Sequence, residues 1–360
     1  MVKSFFFGLM ILVCISASGQ TETFISNGKV LDAATKQPLS GASVFCQNTT
    51  FGTLTNNDGL FYMNLPNGSY DLIISYTGYE KKLLRISNTQ TQKDTLLFVM
   101  SQQDNSMTEV AVVATNEVAD GWNKYGRFFS ENFIGTTPNA EHCKIQNPEV
   151  LHFFYTKKRN RLKVTAKEDI VVVNNALGYR IKYQLDSFSY DYNTNISQYT
   201  GYPLFEEMDT TEAVKQVWVN NRAKTYLGSR LHFMRSMYDS IVKEEGFTVE
   251  KMSDNPKSIK GTDIANLYDS SFYSADSTGV SVNWDGHYRI GYRKILPEKK
   301  FLQEFKLPAN TNVQVSLLDI ADGFVIEQNG YFYEQYDVIN AGYWAWKKLA
   351  ELLPYNYEYE

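Results

Sequence analysis

Between Gly28 and Tyr79, turn residues and apolar residues alternate so regularly that an antiparallel β fold is the arrangement that accommodates them. Val30 and Leu31 lead into a turn containing Asp32, Thr35 and Pro38, and a strand carrying Val44 and Cys46 follows. Gly52 and Thr53 precede the turn Asn57-Asp58-Gly59, after which Leu60 to Leu65 places Phe61 and Met63 on one face. Asp58-Gly59 and Asn67-Gly68 are hairpin signals, because glycine takes the positive φ that a tight turn needs. Tyr70, Leu72, Ile74 and Tyr76 then alternate with Asp71, Ile73 and Ser75, the period of two that marks a strand.

The pattern Gly28-x-Val30-x-Asp32, Thr35, Pro38-Leu39-x-Gly41-Ala42-x-Val44, Gly52-Thr53-x-Thr55, Asp58-Gly59-x-Phe61, Gly68-x-Tyr70 and Gly78-Tyr79 resembles the carboxypeptidase regulatory-like domain over residues 24–100. The resemblance implies a transthyretin-like, seven-stranded Greek-key sandwich of the kind found in Gram-negative envelope proteins and before the plug of many TonB-dependent receptors. Met107 to Ala114 resembles the short strand that follows this domain in those receptors.

Lys3, the apolar run Phe5 to Ile15 and the small residues Ala17-Ser18-Gly19 read as a signal peptide over residues 1–19, so the mature chain is expected to be exported to the periplasm or the outer-membrane face. An apolar run of that length falls short of the roughly 20 residues a membrane span needs, and no transmembrane span is expected in the mature chain. Val13 stands before Cys14 where a lipobox needs a small residue, which argues for cleavage without lipidation. Cys46 and Cys143 remain; the residues around them suit two small buried hydrophobes better than a pair. The net charge of −5 and the absence of a long basic run disfavour nucleic acid as partner. The cluster Lys157-Lys158-Arg159-Asn160-Arg161 reads as a solvated hairpin tip.

A polar stretch from Ser101 to Ser106 separates a sandwich over residues 22–115 from an α+β domain over residues 116–360. In the second unit a helix is expected from Glu117 to Asn132, then a meander over Leu151–Tyr155, Arg161–Ala166, Ile170–Val173 and Tyr179–Tyr190, then a loop from Tyr190 to Tyr202. A single long helix is expected from Thr211 to Glu245, opened by a capping box of Asp209 and Glu212 and closed at Gly246. Strands at Phe247–Met252, Val280–Trp284, Tyr288–Tyr292, Val313–Ile320, Phe324–Gln328 and Tyr331–Tyr336 and a last helix over Ala341–Leu353 complete the pattern. Phe133-x-Gly135, Asn147-Pro148, Leu177-Gly178-Tyr179, Gly201-Tyr202-Pro203, Gly228-Ser229 and His232-Phe233-x-Arg235-Ser236 resemble the second domain of uncharacterised envelope proteins, a likeness that brings no activity with it.

None of the four histidines has a carboxylate three positions on, so the zinc site of a carboxypeptidase is not expected, and no other metal or cofactor is called for. Gly-x-Ser-x-Gly, a phosphate loop and a dinucleotide fingerprint are absent from the sequence. Asp191-x-Asn193-x-Asn195 opens like a calcium loop but has Ile196 and Tyr202 where glycine and glutamate belong. The remaining chain is too short in ten-residue strands for a receptor barrel.

On the expected long helix, Val219, Ala223, Tyr226, Leu227, Phe233, Met234, Met237 and Ile241 share a face with Arg230 near its centre. Trp218, Arg222, Ser229 and Ser236 form an adjacent strip, with His232 at its edge. One reading is an anion- or sugar-binding wall, with Arg222 and Arg230 as donors and Trp218 as a stacking surface. The other, which the frequency of structural ion pairs favours, is an arginine paired internally with a carboxylate from the neighbouring sheet. Tyr190, Tyr192, Tyr199 and Tyr202 make the expected loop a second candidate binding surface. The expectation is therefore a non-enzymatic envelope binding or scaffolding protein with no cofactor, its ligand a glycan or another envelope protein. A hydrolase acting on envelope glycans or peptides is the alternative.

Overall fold

The computed structural model describes residues 22–89, 95–103, 116–253, 260–276, 279–333 and 335–359; the expected signal peptide over residues 1–19 and the segment Met107–Ala114 lie outside them. The chain is mostly β-sheet with few helices. Strands β1 (Thr23–Asp32), β2 (Ser43–Cys46), β3 (Gly52–Leu54), β4 (Leu60–Pro66), β5 (Ser69–Ser75), β6 (Lys82–Ser87) and β7 (Leu96–Met100) form the N-terminal sandwich. Its two sheets have the orders β4-β1-β7 and β3-β2-β5-β6. Val30, Val44, Cys46, Phe61, Leu65, Leu72 and Ile74 meet between them.

The residues of the sequence pattern hold this sandwich through specific bonds. The Asp32 carboxylate accepts the N–H groups of Ala34 (3.0 Å) and Thr35 (2.6 Å) and the hydroxyls of Thr35 (2.8 Å) and Tyr79 (2.7 Å). The Thr35 N–H first, and then the two hydroxyls, hold its pKa down to about 2. Thr55 accepts the Ala42 N–H at 2.8 Å and donates to the Leu39 carbonyl at 2.5 Å, tying two turns together. Gly59 is left-handed (φ 71°), and a Cβ there would meet the Val30 carbonyl oxygen at 2.5 Å, so the turn needs glycine.

Helix α1 (Gly121–Phe133) packs Phe129 and Phe133 onto a sheet of β8 (Cys143–Ile145), β9 (Leu151–Thr156), β10 (Arg161–Ala166), β11 (Ile170–Asn174), β12 (Tyr179–Asp191) and β13 (Ile196–Glu207). This sheet runs β8-β11-β12-β10-β9, with β13 on β12. The four expected strands are present within a residue or two, but they do not form the expected meander: β10 and β11 each pair with β12 and not with each other. The Asn160 turn is left-handed (φ 48°).

The expected helix over Thr211–Glu245 is two helices, α2 (Glu212–Tyr226) and α3 (Arg230–Tyr238). Gly228 breaks them at φ 77°, and a Cβ there would run into the Tyr292 ring (2.5 Å) and the Gln314 amide (2.7 Å). Ser229 then caps α3 by accepting the His232 N–H at 3.1 Å. Thr211, with no side-chain cap bond, stands at the N-cap of α2 instead of the expected capping box. Gly246 is left-handed as expected but closes a turn beyond α3.

The remaining strands are β14 (Phe247–Met252), β15 (Gly261–Asp263), β16 (Tyr273–Ala275), β17 (Val280–Val282), β18 (Gly286–Tyr292), β19 (Gln314–Ile320), β20 (Phe324–Ile326) and β21 (Val338–Gly342). They form sheets β15-β14-β18-β19-β21 and β16-β17-β20, which pack with Phe233, Met234 and Met237 of α3. Two short helices, α4 (Lys299–Glu304) and α5 (Tyr343–Trp346), complete the fold. The expected strand Tyr331–Tyr336 is a single bridge, Ile326 to Phe332, followed by a 3-10 turn over Gln335–Asp337. The expected last helix is β21, α5 and a 3-10 turn over Leu349–Glu351, because Trp344 and Trp346 anchor into separate neighbours: Trp344 Nε1 donates to the Gly228 carbonyl (2.7 Å) and Trp346 Nε1 to Thr136 (3.1 Å).

The sandwich docks on the rest of the chain through the outer face of its four-stranded sheet. Phe45 and Ile73, on that face, are buried against Leu204 and Tyr202. Cys46 and Cys143 are both free thiols, Cys46 buried and Cys143 half-buried; burial pushes Cys143 up to about 12.

Candidate functional site

Breaking the long helix disperses the wall expected on it. Val219 and Ile241 are exposed and do not join a common apolar face. Trp218 is only 7% exposed. Its Nε1 donates to the Asn175 carbonyl at 2.8 Å and its ring covers Gly178, so it offers no stacking surface to a ligand. Arg222 donates from Nε to the Leu177 carbonyl (2.7 Å) and pairs through Nη1 with Glu207 (2.9 Å). Its guanidinium lies 3.9 Å over the Tyr179 ring.

Arg230 is half-buried with its guanidinium 5.2 Å over the Phe332 ring, and among the described residues no carboxylate comes within ion-pair reach of it. His232 is 3% exposed, packed among the rings of Tyr226, Phe247 and Tyr292. The Gly228 N–H donates to its Nδ1 (3.1 Å), so Nε2 carries the proton and donates to Glu245 (3.1 Å), which Lys294 also holds (3.2 Å). Burial, the largest influence, drives the imidazole pKa down to about 4 despite that carboxylate.

The tyrosine-rich stretch is a hairpin. Strand β12 continues to Asp191 and β13 begins at Ile196. The Asp191 side chain accepts the Asn193 N–H at 2.9 Å, which turns the calcium-like pattern into an Asx turn. Tyr190 and Tyr192 pack on Phe128 with ring centres 4.7 and 5.5 Å away, and Tyr199 on Phe133 at 5.1 Å. Tyr202 faces the sandwich, with the Lys81 ammonium 5.1 Å over its ring. These tyrosines are buried or half-buried parts of cores and the docking face.

Of the expected site residues, Arg222 lines a cleft that lies where three parts of the chain meet. The Asn48–Thr50 loop of the sandwich bonds to β13 through Asn48 N–H to Pro203 O (2.7 Å) and Phe205 N–H to Thr49 O (2.9 Å). On its other side it takes the C-terminal tail: Tyr355 N–H donates to Asn48 O (2.7 Å), Thr50 N–H to Asn356 Oδ1 (3.0 Å), and Asn356 Nδ2 to the Thr50 hydroxyl (2.6 Å). Between loop, tail and α2 is a cleft of about 270 Å³ lined by Glu207, Val219, Arg222, Asn356, Tyr357 and Glu358 among others. Glu207 is 63% exposed and Arg222 12%, so the carboxylate faces solvent from a fixed arginine backing. Apart from Arg222, sequence reasoning missed these residues. The available signal was Phe45 and Ile73, apolar residues on the strand face that period two assigns to solvent, which marks that sheet as covered.

Gly178 is left-handed (φ 74°), and a Cβ there would overlap the Trp218 ring behind this cleft. Gly178→Ala is expected to lower stability by about 2 kcal/mol, from overpacking and backbone strain together. Urea unfolding of the variant checks this, and an unchanged midpoint would refute the close approach.

Residues 26–112 match the family model of the CarboxypepD_reg-like domain, so the sandwich is a carboxypeptidase regulatory-like domain. Among solved structures, the chain is similar to a DUF3823 family protein from Bacteroides ovatus ATCC 8483, with TM-score 0.18, 9% identity and coverage of 52% of this chain and 83% of that one. It is also similar to a 9R-lipoxygenase from Cyanothece PCC8801, with TM-score 0.18, 10% identity and coverage of 62% of this chain and 49% of that one. No curated protein matches the sequence.

Proposed function

We propose that this chain is an exported cell-envelope protein that binds its ligand without converting it, and that the junction cleft takes one sugar unit of an envelope glycan. The lining of the cleft carries this reading. Glu207, Asn356 and Arg222 offer acceptors and donors for hydroxyl groups, while Val219 and the Tyr357 ring offer apolar surface to the C–H face of a sugar. A cleft where separate units meet is a common place for such a site. Glu207 and Glu358 both reach it, which is the feature on which a hydrolase would rest. Arg222 already engages Glu207, an arrangement suited to holding a hydroxyl rather than delivering a proton. The same reading takes the sandwich as a transthyretin-like Greek-key domain and the rest as α+β, in keeping with the three- and four-stranded sheets and with helices α1 to α3 packed on antiparallel sheets.

Titration of the mature protein with soluble peptidoglycan fragments and envelope oligosaccharides, with the mixture analysed for released products, tests the proposal. Binding without release is expected, weakened at least tenfold by Tyr357→Ala and by Glu207→Gln. Release of products would replace the proposal by the hydrolase, and failure of every glycan to bind would overturn it in favour of a protein ligand.

A further inference from the structure

A second cleft, of about 580 Å³, runs between helix α1 and strand β8. Cys143, Lys144, Ile145 and Gln146 all line it, facing Trp122, Ser130, Glu131 and Ile134 of the α1 segment. Consecutive strand residues point to opposite faces, so lining by all four places the cleft along the backbone edge of β8.

Among the described residues, that edge carries main-chain groups without a partner, and strand β8 pairs with β11 alone. Gln146 N–H donates to Val171 O (2.8 Å) and Asn175 N–H to His142 O (3.1 Å). By antiparallel alternation, residues 142, 144 and 146 address β11, and residues 143 and 145 address the cleft. The Cys143 N–H closes back on the Ala140 carbonyl, which leaves the Cys143 carbonyl and both main-chain groups of Ile145 toward the cleft. Other margins of the same sheet are covered by extended pieces of this chain. Val118 N–H bonds Phe153 O (2.8 Å) and Tyr155 N–H bonds Asn116 O (3.1 Å) at β9, and the Asn48–Thr50 loop covers Pro203–Phe205 of β13.

We propose that the β8 edge is a docking site for an extended segment of a partner protein, added to the sheet as a further strand and carrying an acidic side chain opposite Lys144. The exposed main-chain donor and acceptors select an extended chain. Trp122, Ile134 and Pro148 give apolar pockets for alternate side chains. At the rim, Arg127 is paired with Glu131, whereas Lys144 is exposed with no carboxylate in ion-pair reach among the described residues, which sets the sign of the guest's charge. Three strand residues span roughly 10 Å, so the guest contributes a short segment.

The test selects a phage-displayed random heptapeptide library on the mature protein and measures binding of the most enriched peptide, made synthetically, by fluorescence anisotropy and amide exchange. Enriched sequences are expected to alternate apolar residues around an aspartate or glutamate, and the bound peptide to slow exchange of the Ile145 N–H at least tenfold. Lys144→Glu should weaken binding about tenfold, and Ile145→Pro should abolish it by removing the donor. Ser130→Arg fills the cleft from the helix side without touching the strand, and serves if the proline variant does not fold. No enrichment over a parallel selection on Ser130→Arg, or a peptide that leaves Ile145 exchange unchanged, would overturn the proposal.

Discussion

Arg85→Ala is expected to destabilise the protein by about 3–5 kcal/mol, because it leaves two carboxylates in a buried interface without their counter-charge. Arg85 leaves the sandwich to pair with Asp71 (3.0 Å) on its own sheet and with Glu327 across the junction. Glu327 is 5% exposed. Tyr331 donates its hydroxyl to Asp71 (2.7 Å) and Tyr333 to Glu327 (2.5 Å), and both rings flank the guanidinium at 4.2 and 4.6 Å. Glu327 meets its counter-charge only while the sandwich is docked, whereas Asp71 meets Arg85 within its own sheet. Urea unfolding followed by tryptophan fluorescence gives the loss. The triple variant Asp71→Asn, Arg85→Met and Glu327→Gln should recover much of it, since removing all three charges leaves none uncompensated. A loss below about 1 kcal/mol for Arg85→Ala would mean that the cluster behaves as a solvated surface pair.

The second large effect is on pH dependence. His232 is held neutral in the folded chain, with its pKa near 4 against the ordinary 6.5. As the pH falls below 6.5 the unfolded chain takes up a proton that the folded one refuses. Stability therefore declines between pH 6.5 and 4 and levels off below, a total of about 3 kcal/mol from this one group. Burial pushes Glu245 up and Lys294 and His232 pull it down more strongly, so its carboxyl is held below its ordinary range. Asp169 and Glu298, raised mainly by burial, act in the opposite sense, so the effect is read as a difference. Wild type should lose about 3 kcal/mol more than His232→Gln between pH 7 and pH 4. Parallel slopes for the two proteins would show that His232 is not held neutral by the fold.

Much of the sandwich was legible because its determinants are local. Asp32 with Thr35, Thr55 with the Leu39–Ala42 turn, and Gly59 each act across a few residues or one hairpin, and they stand in the sequence as a recognisable pattern. The break between α2 and α3 was legible in principle too. Gly228-Ser229 is a left-handed stop followed by an N-cap, but an apolar period continuing on both sides read as one helix. The tyrosine hairpin misread for a similar reason: polar and aromatic residues in alternation look like a loop until Asp191 and Asn193 are seen to make a turn between two strands.

The candidate site was legible in one residue. Arg222 was named as a donor of the expected wall, yet the groups that it engages, the Leu177 carbonyl, Glu207 and the Tyr179 ring, come from a different strand and turn. Thr50, Asn356 and Tyr357 join them from positions far apart in the chain. By itself the sequence determined the regulatory-like sandwich and the positions of strands β9 to β12, because hairpins and strand period are properties of neighbouring residues. Only the tertiary structure decided that Phe45 and Ile73 are covered, that Trp218 is packed away from ligands, and that a cleft forms where the Asn48–Thr50 loop, β13 and the tail meet. Such a cleft depends on contacts between segments whose separation along the chain leaves no periodic trace.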